Sequence, residues 1–124
     1  MEEQKTFDIR DRAFEFAVRI IKFCQFLEKH TEVSKNLTRQ LLRSGTSIGA
    51  NLEEAHSAQS RADFISKNSI SLKEARETNY WLRLILATTD FDNNVKKRVN
   101  ELKEESNELM RIIASIVVST KKND

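Results

Sequence analysis

The sequence predicts an all-α protein: an antiparallel, up-down-up-down four-helix bundle that assembles as a homo-oligomer. Three observations lead there. The 124 residues contain no proline and only two glycines, so the residues that punctuate β-rich folds are nearly absent. Four stretches carry apolar residues at spacings of three and four. The first of them is apolar on more sides than a single bundle seam can cover. One domain spanning residues 1–124 is expected, because a chain of this length buries a sizeable core without subdividing.

The first helix is expected from about residue 8 to 30, with Ala13, Phe16, Ala17, Ile20, Cys24 and Leu27 on one face. Phe14, Val18, Ile21 and Phe26 spread beyond that face and imply a second burial surface, read as a contact between copies. The second helix is expected from about residue 34 to 59, capped by Ser34 and followed by Leu37, Leu41, Ile48, Leu52 and Ala55. Gly45 and Gly49 interrupt it on one face, each costing about 1 kcal/mol relative to alanine, and close approach of a neighbouring backbone is the expected compensation. Ser60-Arg61-Ala62-Asp63 has the pattern of a capping box with Asp in place of Glu. It opens a third helix from about residue 61 to 88, through Phe64, Ile65, Leu72, Ala75, Leu82 and Leu86. Asp90-Phe91-Asp92-Asn93 breaks the pattern. A fourth helix from about residue 92 to 120 then repeats Val95, Val99, Leu102, Ser106, Leu109, Ile113 and Ile116 at alternating spacings, which supplies a full seam. Short connections favour antiparallel neighbours crossing at about 20°.

Composition narrows the function. A net charge of +2 from 21 basic and 19 acidic residues describes a mixed surface, without the one-sided field of a dedicated nucleic-acid arm. Cys24 is the only cysteine and lies in an apolar run, which excludes a disulfide framework and a cysteine-based zinc cluster and favours an inert packed thiol. No window reaches the ~18 consecutive apolar residues that a bilayer requires, and the acidic start Met1-Glu2-Glu3-Gln4 lacks the layout of an export signal. A cytoplasmic protein without membrane partners is expected.

The stretch Ser44 to Ala55 places small and polar residues where an amphipathic helix is normally apolar. Ser44, Ser47, Asn51 and Glu54 are three, four and three residues apart and form one stripe that should face protein. On the third helix Glu74, Arg76 and Glu77 lie beside Tyr80 and Trp81, and the two groups are expected to meet across a seam, with Glu54 and Glu77 oriented inward. Pairing of these carboxylates with Arg76, Arg43 or serine hydroxyls is the expected structural role. A ligand or metal site built from Asn51, Glu54, Glu74 and Glu77 is the alternative.

Other chemistries lack their parts. Glu53-x-x-His56 has the spacing used by di-iron bundles, but His30 has Leu27 three residues before it, so the second half of such a site is missing. Neither histidine has an arginine four to six residues upstream, as helical nucleases of one type require. Gly45 and Gly49 sit within a helical pattern and are not followed by a P-loop Lys-Ser/Thr. No catalytic residue, metal ligand or cofactor site is assigned.

Two stretches carry a resemblance: Arg43-Ser44-Gly45-Thr46-Ser47-Ile48-Gly49-Ala50-Asn51-Leu52-Glu53-Glu54-Ala55, and Asp63-Phe64-Ile65 followed by Lys73-Glu74-Ala75-Arg76-Glu77-Thr78-Asn79-Tyr80-Trp81-Leu82-Arg83-Leu84. They resemble the bacterial four-helix-bundle proteins first noticed in intervening sequences within large-subunit ribosomal RNA genes. The resemblance implies a homo-oligomer, a pentamer, with no established enzymatic activity. A related branch, the accessory proteins of diversity-generating retroelements, is similar in fold and implicated in binding nucleic acid. The near-neutral charge of this chain departs from the basic character of that branch.

Lys35, Arg39 and Arg43 recur every four residues, and Lys96-Lys97-Arg98 opens the fourth helix. Multiplied by an oligomer, either set forms a ring of positive charge able to hold phosphates through counterion release. The competing reading is a solvated helix face with intrahelical pairs such as Arg98 with Glu101 or Glu105. The expected function is therefore a non-enzymatic oligomeric scaffold offering a charged surface to RNA, DNA or a nucleic-acid-processing protein. A protein–protein adaptor and a carboxylate site are the alternatives.

Overall fold

The computed structural model describes residues 8–30 and 32–123. The acidic segment Met1 to Gln4 and the terminal Asp124 lie outside the described residues. Four helices account for the fold: α1 (Ile9–His30), α2 (Lys35–His56), α3 (Arg61–Thr88) and α4 (Asn93–Lys122). Packing is cyclic, with α1 on α2, α2 on α3, α3 on α4 and a thinner contact from α4 back to α1.

Local chemistry sets the helix starts. Ser34 Oγ accepts from the backbone N–H groups of Asn36 at 3.1 Å and Leu37 at 3.4 Å. Ser60 Oγ accepts from Asp63 N at 3.0 Å, and the Asp63 carboxylate reaches back past the cap to the backbone N–H of Gln59 at 3.4 Å. Asp92 caps α4 by accepting from Val95 N at 2.9 Å. Asp8 accepts from Arg10 N at 2.9 Å and also binds the Arg10 guanidinium, which together hold its carboxyl below the usual range. α2 stops at His56, short of the expected 59, because Ser57 to Ser60 are needed to turn the chain into the next cap.

The core is formed by Ala13, Phe16, Ile20, Phe23, Cys24 and Leu27 of α1 with Leu41, Ile48 and Leu52 of α2, Ala75, Leu82 and Ile85 of α3, and Val99, Leu102, Leu109 and Ile113 of α4. Phe23 replaces Ala17 on the α1 face, where it and Phe26 lie under the Arg98 guanidinium at 5.2 and 5.6 Å from their ring centroids. α4 follows its predicted repeat from Val99 to Ile113; Val95 at its start is only half-buried, and in the last turns Val117 is buried and Ile116 half-buried.

α3 differs most from its sequence reading. Phe64, Ile65, Leu72 and Leu86 are only half-buried, and the buried positions are Asn68, Ser71, Ala75, Thr78, Leu82 and Ile85. These follow strict three-four spacing, but half are polar. Ser71 Oγ donates to the Ile48 carbonyl at 2.8 Å, Thr78 Oγ1 lies 2.8 Å from both Ser44 Oγ and the Glu74 carbonyl, and Asn68 Nδ2 donates to the Phe64 carbonyl at 3.0 Å. Small hydroxyl side chains let α2 and α3 approach while keeping each buried oxygen bonded. Among the described residues no buried side-chain nitrogen or oxygen lacks a partner.

The two glycines have different reasons for being there. A Cβ on Gly45 would lie 2.8 Å from Ile20 Cγ2 and 3.3 Å from Ile20 Cβ, whereas a Cβ on Gly49 would sit at an ordinary 3.5 Å from Ala13 Cβ. Ile20 is fully buried and stiff at χ1, so it has little freedom to yield to a methyl group at Gly45. Close approach therefore explains Gly45, but the neighbour is the Ile20 side chain and not the expected backbone; the α1 backbone is met at Gly49, where Ala13 C and O would lie at an ordinary 3.6 Å. Gly45→Ala is expected to lower stability by about 1–2 kcal/mol, an overpacking cost only partly offset by helix propensity. Gly49→Ala is expected to raise it by up to about 1 kcal/mol. Urea denaturation of the two variants beside the wild type measures both signs.

Candidate functional site

The polar stripe of α2 splits into an inward and an outward part. Ser44 is fully buried against Thr78. Ser47 Oγ donates to the Arg43 carbonyl at 2.6 Å and Asn51 Nδ2 to the Ser47 carbonyl at 2.8 Å, so both satisfy their own helix while half-buried. Glu54, expected inward, is exposed. The buried positions on either side of it are Leu52 and Ala55, and among the described residues no cation pairs with Glu54 to justify its desolvation.

The carboxylates of α3 do meet α2, through one residue. Arg43 Nη1 contacts Glu74 Oε1 at 3.0 Å, its Nη2 pairs with Glu77 Oε1, and its Nε donates to Gln40 Oε1 at 3.1 Å. Glu77 also accepts from Trp81 Nε1 at 3.4 Å. The planar fork of a guanidinium suits two acceptors at once, which a lysine ammonium does not match. Glu77 is therefore engaged as expected, while Arg76 is exposed and takes no part. The set Asn51, Glu54, Glu74 and Glu77 is not assembled into one carboxylate site: Glu54 faces solvent and the other two carboxylates share the single cation of Arg43.

The six basic candidates are likewise divided. Arg43 and Arg98 are committed within the fold, Arg98 to the Phe23 and Phe26 rings and not to Glu101 or Glu105. Glu105 instead receives Arg12 of α1 through two bonds, Nε at 2.8 Å and Nη2 at 2.9 Å, a bidentate pair that ties α4 to α1. Lys35, Arg39, Lys96 and Lys97 are exposed, and among the described residues no carboxylate pairs with them.

Those four residues leave from one end of the bundle. His30 and Glu32 line the same cleft of about 530 Å³ as Thr88 to Asp92 and Val95, so the segments that lead into α2 and α4 lie at the same end. Glu32, Asp90 and Asp92 line that cleft too, giving this end mixed charge. At the opposite end Glu53 touches Arg10 at 3.5 Å and His56 is exposed. Among the described residues no group of three or more His, Cys, Asp or Glu side chains is arranged to hold a metal ion. Cys24 Sγ–H points to the Thr38 carbonyl at 3.7 Å, and burial pushes its pKa up to about 12, so it carries no thiolate at neutral pH.

Arg43 is the connection whose loss the site predicts most directly. Arg43→Ala leaves Glu74 and Glu77 without their cation, and a loss of about 1–2 kcal/mol is expected because the pairs are part-exposed hydrogen bonds to charged groups. Arg43→Lys is expected to recover less than half of that. Chemical denaturation followed by the emission of Trp81, whose Nε1 bonds Glu77, reads both the stability and the local change.

With this geometry in view, comparison with known proteins is informative. A crystal structure at 1.70 Å resolution of a protein with unknown function from the S23 ribosomal protein family, from Bacteroides thetaiotaomicron VPI-5482, is 43% identical and superposes with a TM-score of 0.81. The similarity covers 89% of this chain and 98% of that one. No match is found among curated proteins. The sequence pattern of the 23S rRNA-intervening sequence proteins matches residues 5–115. That match spans the α2 small-residue stretch and the Arg43, Glu74 and Glu77 cluster, and the chain belongs to the 23S rRNA-intervening sequence protein family.

Proposed function

We propose that this protein is a non-enzymatic, homo-oligomeric helical scaffold that presents charged surface to RNA, DNA or a nucleic-acid-processing protein. The carrying observation is apolar surface left uncovered on one chain. Phe14 is 66% exposed, Ile21 39% and Leu42 38%, with Val18 half-buried beside them. Phe14 and Ile21 each follow, by one residue, a side chain that meets a glycine of α2, so they flank the α1–α2 groove that also borders Leu42. A patch of this kind on a small protein is characteristic of an interface. A second copy is the occupant that the resemblance favours, and a pentamer is the number it implies.

Within each copy we read the helices as running up, down, up and down. Pairs of residues support this course: Arg10 with Glu53 and Cys24 with Thr38 between α1 and α2, and Ser44 with Thr78 and Ile48 with Ser71 between α2 and α3. Asn79 with Ser106 and Arg61 with Thr120 support it between α3 and α4. In every case, as the position advances along one helix its partner on the next falls back, from Glu53 to Thr38, from Thr78 to Ser71 and from Thr120 to Ser106.

For nucleic acid, the supporting features are the cations Lys35, Arg39, Lys96 and Lys97, which pair with no carboxylate among the described residues and which a ring of copies would multiply. The absence of enzymatic activity is supported by the engagement of both Glu74 and Glu77 with Arg43 and by the unreactive setting of Cys24. Among the described residues no helix is long and apolar enough to cross a membrane, which accords with the proposed cytoplasmic location.

Light scattering at micromolar concentration tests the assembly. A mass that is a multiple of 14.4 kDa is expected, falling towards one chain in the double variant Phe14→Asp, Ile21→Asp; a wild type at 14.4 kDa would refute the scaffold. Affinity for RNA or DNA is expected to fall linearly in logarithmic plots against salt, and no binding at low salt would refute the nucleic-acid reading.

A further inference from the structure

We propose that the outward stripe of α3 formed by Lys73, Arg76, Tyr80 and Arg83 is a docking surface for single-stranded nucleic acid. The inference rests on the nucleic-acid reading above and assigns it a face and a ligand class. The four residues are three, four and three apart, and all four are exposed. They span about 15 Å along the helix axis.

Charge is what distinguishes this stripe. Continuing it in both directions gives Ser66, Ser69, Lys73, Arg76, Tyr80, Arg83 and Ala87, without a carboxylate. The nearby acids of α3, Glu74 and Glu77, are both drawn to Arg43 on the α2 side, where its guanidinium offsets one of their two charges, so neither carboxylate pairs with the stripe. Among the described residues no ion pair engages Lys73, Arg76 or Arg83. The end of the bundle, by contrast, mixes its lysines with Glu32, Asp90 and Asp92.

The aromatic member is held ready. Tyr80 is 46% exposed, its ring sits edge-on to Trp81 at 5.4 Å, and the Arg83 guanidinium lies 5.5 Å over it. Arg83 Nε donates to Asn79 Oδ1 at 3.1 Å. The Asn79 amide in turn donates to Ser106 Oγ at 3.0 Å and to Asn107 Oδ1 at 3.2 Å on α4. The platform is thus anchored between helices and loses little freedom on binding. An exposed ring on a convex helix reaches unstacked bases and not bases inside a duplex, while the flanking cations meet phosphates.

The test titrates the full chain with fluorescein-labelled 20-mers of oligo-U and oligo-dT, a 20-base-pair duplex and a poly-glutamate peptide, read by anisotropy at several salt concentrations. Both single strands are expected to bind more tightly than the duplex and the peptide, with quenching of Trp81, the one tryptophan. Tyr80→Ala is expected to weaken binding roughly tenfold to hundredfold and Tyr80→Phe to restore it, since the stacking face remains. The triple variant Lys73→Gln, Arg76→Gln, Arg83→Gln is expected to make the slope of log K against log salt shallower by about two. Far-UV circular dichroism checks that each surface variant is folded.

If the wild type binds and these variants bind equally well, while Lys35→Gln, Arg39→Gln, Lys96→Gln, Lys97→Gln abolishes binding, this surface is wrong and the broader reading stands. Equal affinity for poly-glutamate, with no effect of Tyr80→Ala, also overturns it, because the attraction would be charge alone. No binding of any strand at low salt overturns both.

Discussion

The close packing of α2 against two neighbours is the constraint on which the rest of the structure depends. On one side Gly45 brings α2 so near to α1 that a methyl group would strike Ile20 at 2.8 Å. On the next side Ser44 and the Ile48 carbonyl receive Thr78 and Ser71 of α3 at hydrogen-bond distance. Adjacent residues of one helix turn thus serve two seams, and neither seam has room for a large side chain. The hydroxyls serve two purposes, being small enough to admit the neighbour and polar enough to bond what they bury.

That closeness has a consequence for the outside of the molecule. Where α1 and α2 are drawn together over glycine, bulky residues next to the seam have no interior to enter. Phe14, Ile21 and Leu42 remain on the surface, although their residue types favour burial. The same logic operates at the α2–α3 seam with charge in place of apolar area. Arg43 gathers Glu74 and Glu77 at the groove, and this leaves the far side of α3 with cations and no acids. Tight seams, an uncovered apolar face and a one-signed helix face are thus linked by the small residues of α2.

The helices were legible in the sequence because caps and periodicity act locally: Ser34, Ser60 and Asp92 each bond the backbone they precede. The family was legible from the Arg43–Ala55 and Lys73–Leu84 stretches, which are long enough to be specific. The α3 core was not, because hydrophobicity marks apolar residues, and half of the buried α3 positions are Asn68, Ser71 and Thr78. Spacing alone, read without regard to polarity, would have found them. The candidate site was legible in part. Arg43 of α2 does meet the carboxylates of α3, but the exposure of Glu54 and the stacking of Arg98 on Phe23 and Phe26 depend on how far apart helices lie, which no single-helix pattern records.

Labelling at Phe14 offers the most direct measurement of whether the uncovered face is covered by another copy. Cys24 is buried with its thiol pushed up to about 12, so it supplies a nearly silent background for a Phe14→Cys variant treated with maleimide at neutral pH. Assembly through this face predicts slow labelling at micromolar protein that accelerates on dilution into the nanomolar range. Labelling that is fast and independent of concentration, as 66% exposure on a lone chain would give, contradicts it.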